Sequence, residues 1–435
     1  MNLDRRQILA LPLLALARPA FAADRADVSR QVLLTWHKLV LELVRHTATY
    51  MPPVAARGFA YIGITAHEAL ASGNPALRSL AGQVTDLAPL PARPAGDHDA
   101  PCVLHAALQA VVAEMFGNTG PTGQRAMQAM GRQMAEVAGA GIDTSVMDRS
   151  VAHGQAIAEH ILAWSRVDGG AVVENMGFPM DYSPGTRPQD WVPTSQIRLQ
   201  QAPLLPRWGA NWPFAMPSAA ATDPGPHPDY SEEPGSAFRA AAQEVHDTAR
   251  DLTDEQRLIA RFWSDDAMLT FTPAGHWISI VLQIAERDAI PAEVVASALA
   301  KLGAAQADAF IACWDTKFRY NLLRPVTYIR RHIDKTWEPL LITPPFPEYT
   351  SGHSAQSGAA STVLSAIFGA AFSFDDETHV DEGLPVRSFA SFEAAAEEAA
   401  MSRLYGGIHF RFGNERGLMQ GRAVGAYAAA LRTEA

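Results

Sequence analysis

Apolar residues recur at helical spacing along most of the chain. Over 27–50, Val32, Trp36, Leu39, Val40 and Leu43 fall on one helix face, and Pro52-Pro53 interrupt the pattern. A largely apolar helix is predicted over 54–71, and further helices near 101–116, 122–139 and 145–166. No alternating pattern of strand length occurs in this half. Residues 168–235 break the periodicity, being rich in Pro, Gly, Asp and aromatics. Trp191, Trp208, Trp212 and Phe214 in this stretch call for burial, so an ordered wrap that reaches a pocket rim is expected. Helical spacing resumes over 236–250, 254–264, 274–288 and 292–317. A buried helix comes after His353, an acidic loop spans 375–384, a helix starts near 389, and the last runs over 414–431. The expected fold class is all-α: two four-helix-bundle-like halves, 23–167 and 236–435, joined through long irregular loops.

Composition narrows this reading only slightly. The chain has 435 residues, is 48% hydrophobic and 19% charged, and can bury a large core. A formal net charge of −11 argues against a nucleic-acid partner. Cys102 and Cys313 make neither a metal spacing nor a disulfide framework, and both lie in apolar helical runs, so buried thiols are expected, with a Cys102–Cys313 bridge in an oxidising compartment as the alternative. Residues 1–22 read as an export signal: Arg5-Arg6, an apolar run, then Ala20-Phe21-Ala22. The paired arginines suggest the twin-arginine route, with general secretion as the alternative, and place the mature chain in the periplasm or outside the cell. The longest uncharged run beyond it, Ser354 to Phe374, is too rich in Ser, Thr, Gly and Ala to favour a membrane span. His37, His46, His67, His105, His153 and His160 are scattered and form no tight ligand pair.

Chemistry concentrates in three later segments. In TPPFPEYTSGH, 343–353, prolines hold the chain extended until Ser351 and Gly352 open a helix, whose free N–H groups favour an anion beside His353. In WDTKFRYNLLRP, 314–325, Lys317 and Arg324 are seven apart and share a helix face, with Pro325 ending that helix. In SRLYGGIH, 402–409, Gly406-Gly407 stop a helix so that Arg403 and His409 can return to one place. Arg319, Arg330 and Arg331 fall off the shared face and read as surface charges. Three cations, two helix-start amides and two imidazoles suit one compact tetrahedral oxyanion.

Lys-x6-Arg-Pro, Ser-Gly-His and Ser-Arg-x5-His together resemble the signature shared by vanadium-dependent haloperoxidases and type-2 phosphatidic acid phosphatases. TPPFPEYTSGH and the Trp before Lys317 look closer to vanadium chloroperoxidase and its bacterial relatives. The resemblance covers 314–413. It implies vanadate as cofactor, with His409 as vanadium ligand and Lys317, Arg324, Arg403, Ser351 and Gly352 around the oxygens. It also implies His353 as acid–base group, Trp314 and Phe346 on the halide side, and hydrogen peroxide and halide as substrates. A phosphate-monoester hydrolase working through a phosphohistidine at the same site is the alternative. The pattern departs at Thr350, where Pro is usual, and at Gly413, where an Asp normally orients the ligand histidine. Asn414 or a backbone carbonyl is expected to replace that Asp.

Overall fold

The computed structural model describes residues 24–172, 177–195 and 201–435. The export-signal reading lies outside these residues. The first nine helices among them lie close to the predicted ones. They are α1 Arg25–Arg45, α2 Pro52–Ala71, α3 Ala100–Met115, α4 Pro121–Gly139, α5 Thr144–Ser165, α6 Ala237–Arg250, α7 Asp254–Phe262, α8 Thr272–Arg287 and α9 Ala292–Tyr320. Then come α10 Pro325–His332, α11 Gly352–Phe368, α12 Phe392–Tyr405 and α13 Arg411–Ala429. The all-α expectation holds, with one small departure. The expected loop over 375–384 begins inside β1 Phe374–Asp376, which pairs antiparallel with β2 Arg387–Phe389 over three residues each.

Local chemistry sets the boundaries. Asp24, Asp99, Asp143, Ser236, Thr253, Ser351 and Ser391 each cap a helix by accepting a backbone N–H. Pro325 opens α10 instead of closing α9. The longer helix stops at Tyr320, where Asn321 takes a left-handed conformation, φ 50°. Arg324 is therefore extended and outside any helix, and Lys317 and Arg324 do not share a helix face. They meet because the chain reverses between them.

Two close helix crossings organise the molecule. α2 packs on α9 with Gly63 and Gly303 at the contact; a Cβ on Gly63 would stand 2.6 Å from the Leu299 carbonyl oxygen. α11 packs on α13 through Gly417, Gly421 and Gly425, and side chains there would overlap α11 backbone. One buried apolar cluster runs from Val28 to Leu431, so the two helical halves share a core. Of the described helices, α9 alone is long and apolar enough to cross a membrane, and it is the buried centre of that core. Cys102 and Cys313 are free and buried, as expected.

The described parts of 168–235 wrap α9. Asp308, fully buried on α9, accepts the N–H groups of Phe214, Ala215 and Met216 at 2.6, 2.8 and 3.0 Å. Trp191, Trp208 and Phe214 are buried, whereas Trp212 is 43% exposed, contrary to the expectation for that ring. The wrap also reaches the site segments. Leu204 donates its N–H to the Pro345 carbonyl, and Trp191 donates to that of Asn321.

Candidate active site

The N-terminus of α11 is the floor of the site. Ser351 caps it, its Oγ accepting from the Ser354 N–H, while the Ser351 N–H donates to the Gly413 carbonyl at 3.0 Å. That bond ties the start of α11 to the start of α13. Gly352 lies under Trp314 and Phe310, about a van der Waals contact from a Cβ it does not have. Trp314 and Phe346 pack with centroids 4.9 Å apart, and the Trp314 indole donates to the Leu204 carbonyl. They form an apolar wall.

Lys317, Arg324 and Arg403 are all buried, and among the described residues none forms a salt bridge with a carboxylate. Lys317 donates to the carbonyls of Pro347 and Glu348 at 2.9 Å and also to that of Thr350, so its ammonium holds the turn that delivers Ser351. Arg324 donates through Nε to the Phe346 carbonyl and through Nη1 to the Ile408 carbonyl and His409 Nε2 (3.1 Å), leaving Nη2 without a partner. Arg403 donates to Ser402 Oγ and to the carbonyls of Ala260 and Trp263. Burial pushes Lys317 down to about 7 and both arginines down to about 10. Three desolvated cations lacking a carboxylate partner suit a polyvalent anion.

Both imidazoles are neutral and oriented. His409 Nδ1 lies 2.8 Å from Glu348 Oε1, which also accepts the Phe410 N–H at 3.1 Å. A guanidinium can only donate, so the Arg324 contact requires a lone pair on His409 Nε2, and the proton sits on Nδ1. Burial, then Arg324, Lys317 and Arg403, hold His409 well below its ordinary value. His353 Nε2 has no hydrogen-bond partner. That leaves Nε2 as the open nitrogen, 3.9 Å from Asp265 Oδ2. Burial, then Arg403, keep it neutral as well.

The structure thus brings together Lys317, Arg324, Ser351, Gly352, His353, Arg403 and His409, with Trp314 and Phe346 alongside. It corrects the reading of Gly413. Neither Asn414 nor a backbone carbonyl holds His409; Glu348 does. Asn414 instead faces Ser354, whose Oγ approaches its Oδ1 at 3.5 Å. Arg319 is exposed and pairs with Asp223, Arg331 is exposed, and Arg330 pairs with Glu338, in line with their reading as surface charges.

Comparison with known proteins agrees with this geometry. The VCPO second helical-bundle domain family matches residues 297–434. A crystal structure of a bacterial vanadium-dependent iodoperoxidase superposes with a TM-score of 0.86 at 37% identity, covering 93% of this chain and 97% of that one. The chain belongs to the vanadium-dependent haloperoxidases. Apo and holo bacterial vanadium-dependent chloroperoxidases share the fold, with TM-scores of 0.67 and 0.65 at 17% and 18% identity. They cover 88% and 90% of this chain, and 94% and 95% of their own. No curated protein sequence matches significantly.

Behind His353 the haloperoxidase carries a buried acid–imidazole cluster that the sequence did not announce. His276 Nδ1 meets Asp265 Oδ1 at 2.9 Å and its Nε2 meets Asp376 Oδ2 at 2.7 Å, while His379 bridges Asp265 and Glu382. Burial alone would depress the His276 imidazole, but Asp265 and Asp376 outweigh it and raise it from 6.5 to about 10. Because the folded value is the higher one, its stabilisation is complete below pH 6.5 and is lost as pH rises through 10. The thermal midpoint should therefore fall from pH 6.5 to 10 by an amount reflecting a few kcal/mol. A His276→Gln variant followed over the same range should show a shallower slope; an unchanged slope would mean that His276 is not charged.

Proposed function

We propose that this vanadium-dependent haloperoxidase oxidises iodide with hydrogen peroxide, and that its mature form acts outside the cytoplasm. Three buried cations without a carboxylate partner, gathered around the α11 N-terminus and His409 Nε2, carry the reading of the site. The similarity to a bacterial iodoperoxidase supports iodide. The residues present fit vanadate, a phosphate-shaped oxyanion: Arg324 Nη2 is an unused donor, His409 Nε2 carries a lone pair that at present accepts only from Arg324 Nη1, and Gly352 begins α11, although the Ser351 N–H is already taken by the Gly413 carbonyl. Vanadate when bound supplies a Lewis-acidic centre that makes peroxide oxygen open to halide attack without change of metal oxidation state.

The chain's own residues supply the rest. Arg324, Arg403 and Lys317 draw negative charge away from the reacting oxygens. His353 enters neutral, takes a peroxide proton at Nε2 and returns it to the departing oxygen. Trp314 and Phe346 exclude water from one side. Apoprotein assayed with iodide, bromide or chloride plus peroxide, with and without vanadate, tests this reading. Vanadate-dependent oxidation of iodide in preference to bromide is expected. Hydrolysis of a phosphate ester that vanadate inhibits, with no halide oxidation, would instead favour the phosphatase alternative.

A further inference from the structure

We propose that Glu348 is the positioning residue for His409, and that Gly413 is the space this arrangement requires. The carboxylate that would otherwise come from one turn beyond His409 here enters from the segment before α11. This inference rests on the haloperoxidase reading of the site and deepens it.

Four contacts make the case. Glu348 Oε1 accepts the His409 Nδ1 proton at 2.8 Å and the Phe410 N–H at 3.1 Å. The Glu348 carbonyl accepts from Lys317 at 2.9 Å, and its N–H donates to the Leu322 carbonyl at 2.9 Å. One fully buried residue therefore links the end of α9, the lysine of the site and the imidazole of the site. Gly413 completes the fit, because a Cβ there would overlap Glu348 Oε1. A side chain at 413 would therefore displace the Glu348 carboxylate from its place against His409. Holding the Nδ1 proton leaves the Nε2 lone pair for the incoming oxyanion, and it fixes the ring plane.

The test is reciprocal. Vanadate binding by equilibrium dialysis should weaken 10–100-fold in Glu348→Ala, as for loss of a group that orients a metal ligand. Gly413→Asp alone should weaken it comparably. Joined in Glu348→Ala/Gly413→Asp, the new carboxylate stands one helical turn from His409 and fills the vacated volume. Affinity should then return to within about fivefold of the parent, since an equivalent acceptor is restored. Nitrogen-15 spectra of labelled histidine give a readout that packing alone would not move. His409 should carry its proton on Nδ1 in the parent and in the double variant, and show mixed tautomers in Glu348→Ala. If Glu348→Ala does not fold, Glu348→Gln keeps an acceptor without the charge and should bind with intermediate affinity. Parent-like affinity in Glu348→Ala or Glu348→Gln, or a double variant no better than Glu348→Ala, would overturn the assignment. If the parent itself does not bind vanadate, the cofactor reading fails and this inference with it; parental binding with insensitive variants removes this inference alone.

Discussion

His353→Ala should keep its vanadate and lose most of its turnover, with kcat falling about 10²–10⁴-fold, the usual contribution of a placed acid–base group. The separation of the two effects comes from where the ring is anchored. His353 makes no bond to Lys317, Arg324 or Arg403, and the α11 cap is made by Ser351 and Ser354. Deleting the imidazole leaves the three cations and the α11 cap in place. It removes the one imidazole nitrogen in the site that has no protein partner. Asp265, 3.9 Å from that nitrogen, stays ionised despite burial, because His276 and His379 hold it so. Vanadate affinity within a few fold of the parent, measured by dialysis, with kcat down at constant peroxide KM, is the expected pattern. Loss of vanadate in His353→Ala would mean that the ring binds the anion and does not move its protons.

The parts of the molecule that are legible in the sequence are those fixed by local chemistry. Pro52-Pro53 and the Ser and Asp caps punctuate helices whose apolar periodicity is strong, so α1 to α9 lie close to their predicted spans. Gly406-Gly407 do separate Arg403 from His409: α12 ends at Tyr405 and Gly407 adopts φ 76°. Short elements escape. The eight residues of α10 offer barely two turns of periodicity, and β1 and β2 have three residues each, too few for an alternation to register. Asn321 also escapes, because its left-handed cap is set by tertiary contacts: its carbonyl accepts from Trp191, far back in the wrap. Without that cap, Lys317 and Arg324 would share one helix.

Long-range polar contacts are the least visible. Glu348 and His409 are 61 residues apart, and His276 and Asp376 are 100 apart. Nothing in either segment alone marks a pairing across such distances. A signal for Glu348 does exist: a lone carboxylate among prolines and aromatics in PFPEYTSGH, together with a glycine at 413 where an acid is missing. The two irregularities compensate each other in space. For His276, Asp265 and His379 no such irregularity is present. They lie in ordinary helical or loop contexts and become a cluster only when α8 packs beside β1 and the loop after α7.

His409→Ala should lose vanadate by more than about 10²-fold, exceeding the effect of any residue that merely orients the ring. With His409 as the vanadium ligand, vanadate would draw on its Nε2 lone pair as well as on the cations, whereas orthophosphate would draw on the cations and the α11 N-terminus alone. The substitution frees Arg324 Nη1 from the imidazole, 3.1 Å away, so the guanidinium gains a donor for an oxyanion. Orthophosphate affinity should therefore change by less than about tenfold, because its charge-assisted contacts survive. Dialysis of both anions against parent and variant gives the ratio that decides. A large loss for vanadate with phosphate nearly unchanged assigns His409 as the vanadium ligand. Equal losses for both would mean that the imidazole serves only to hold Arg324 and the 346–348 turn in place, and that the lone pair at Nε2 takes no part in binding.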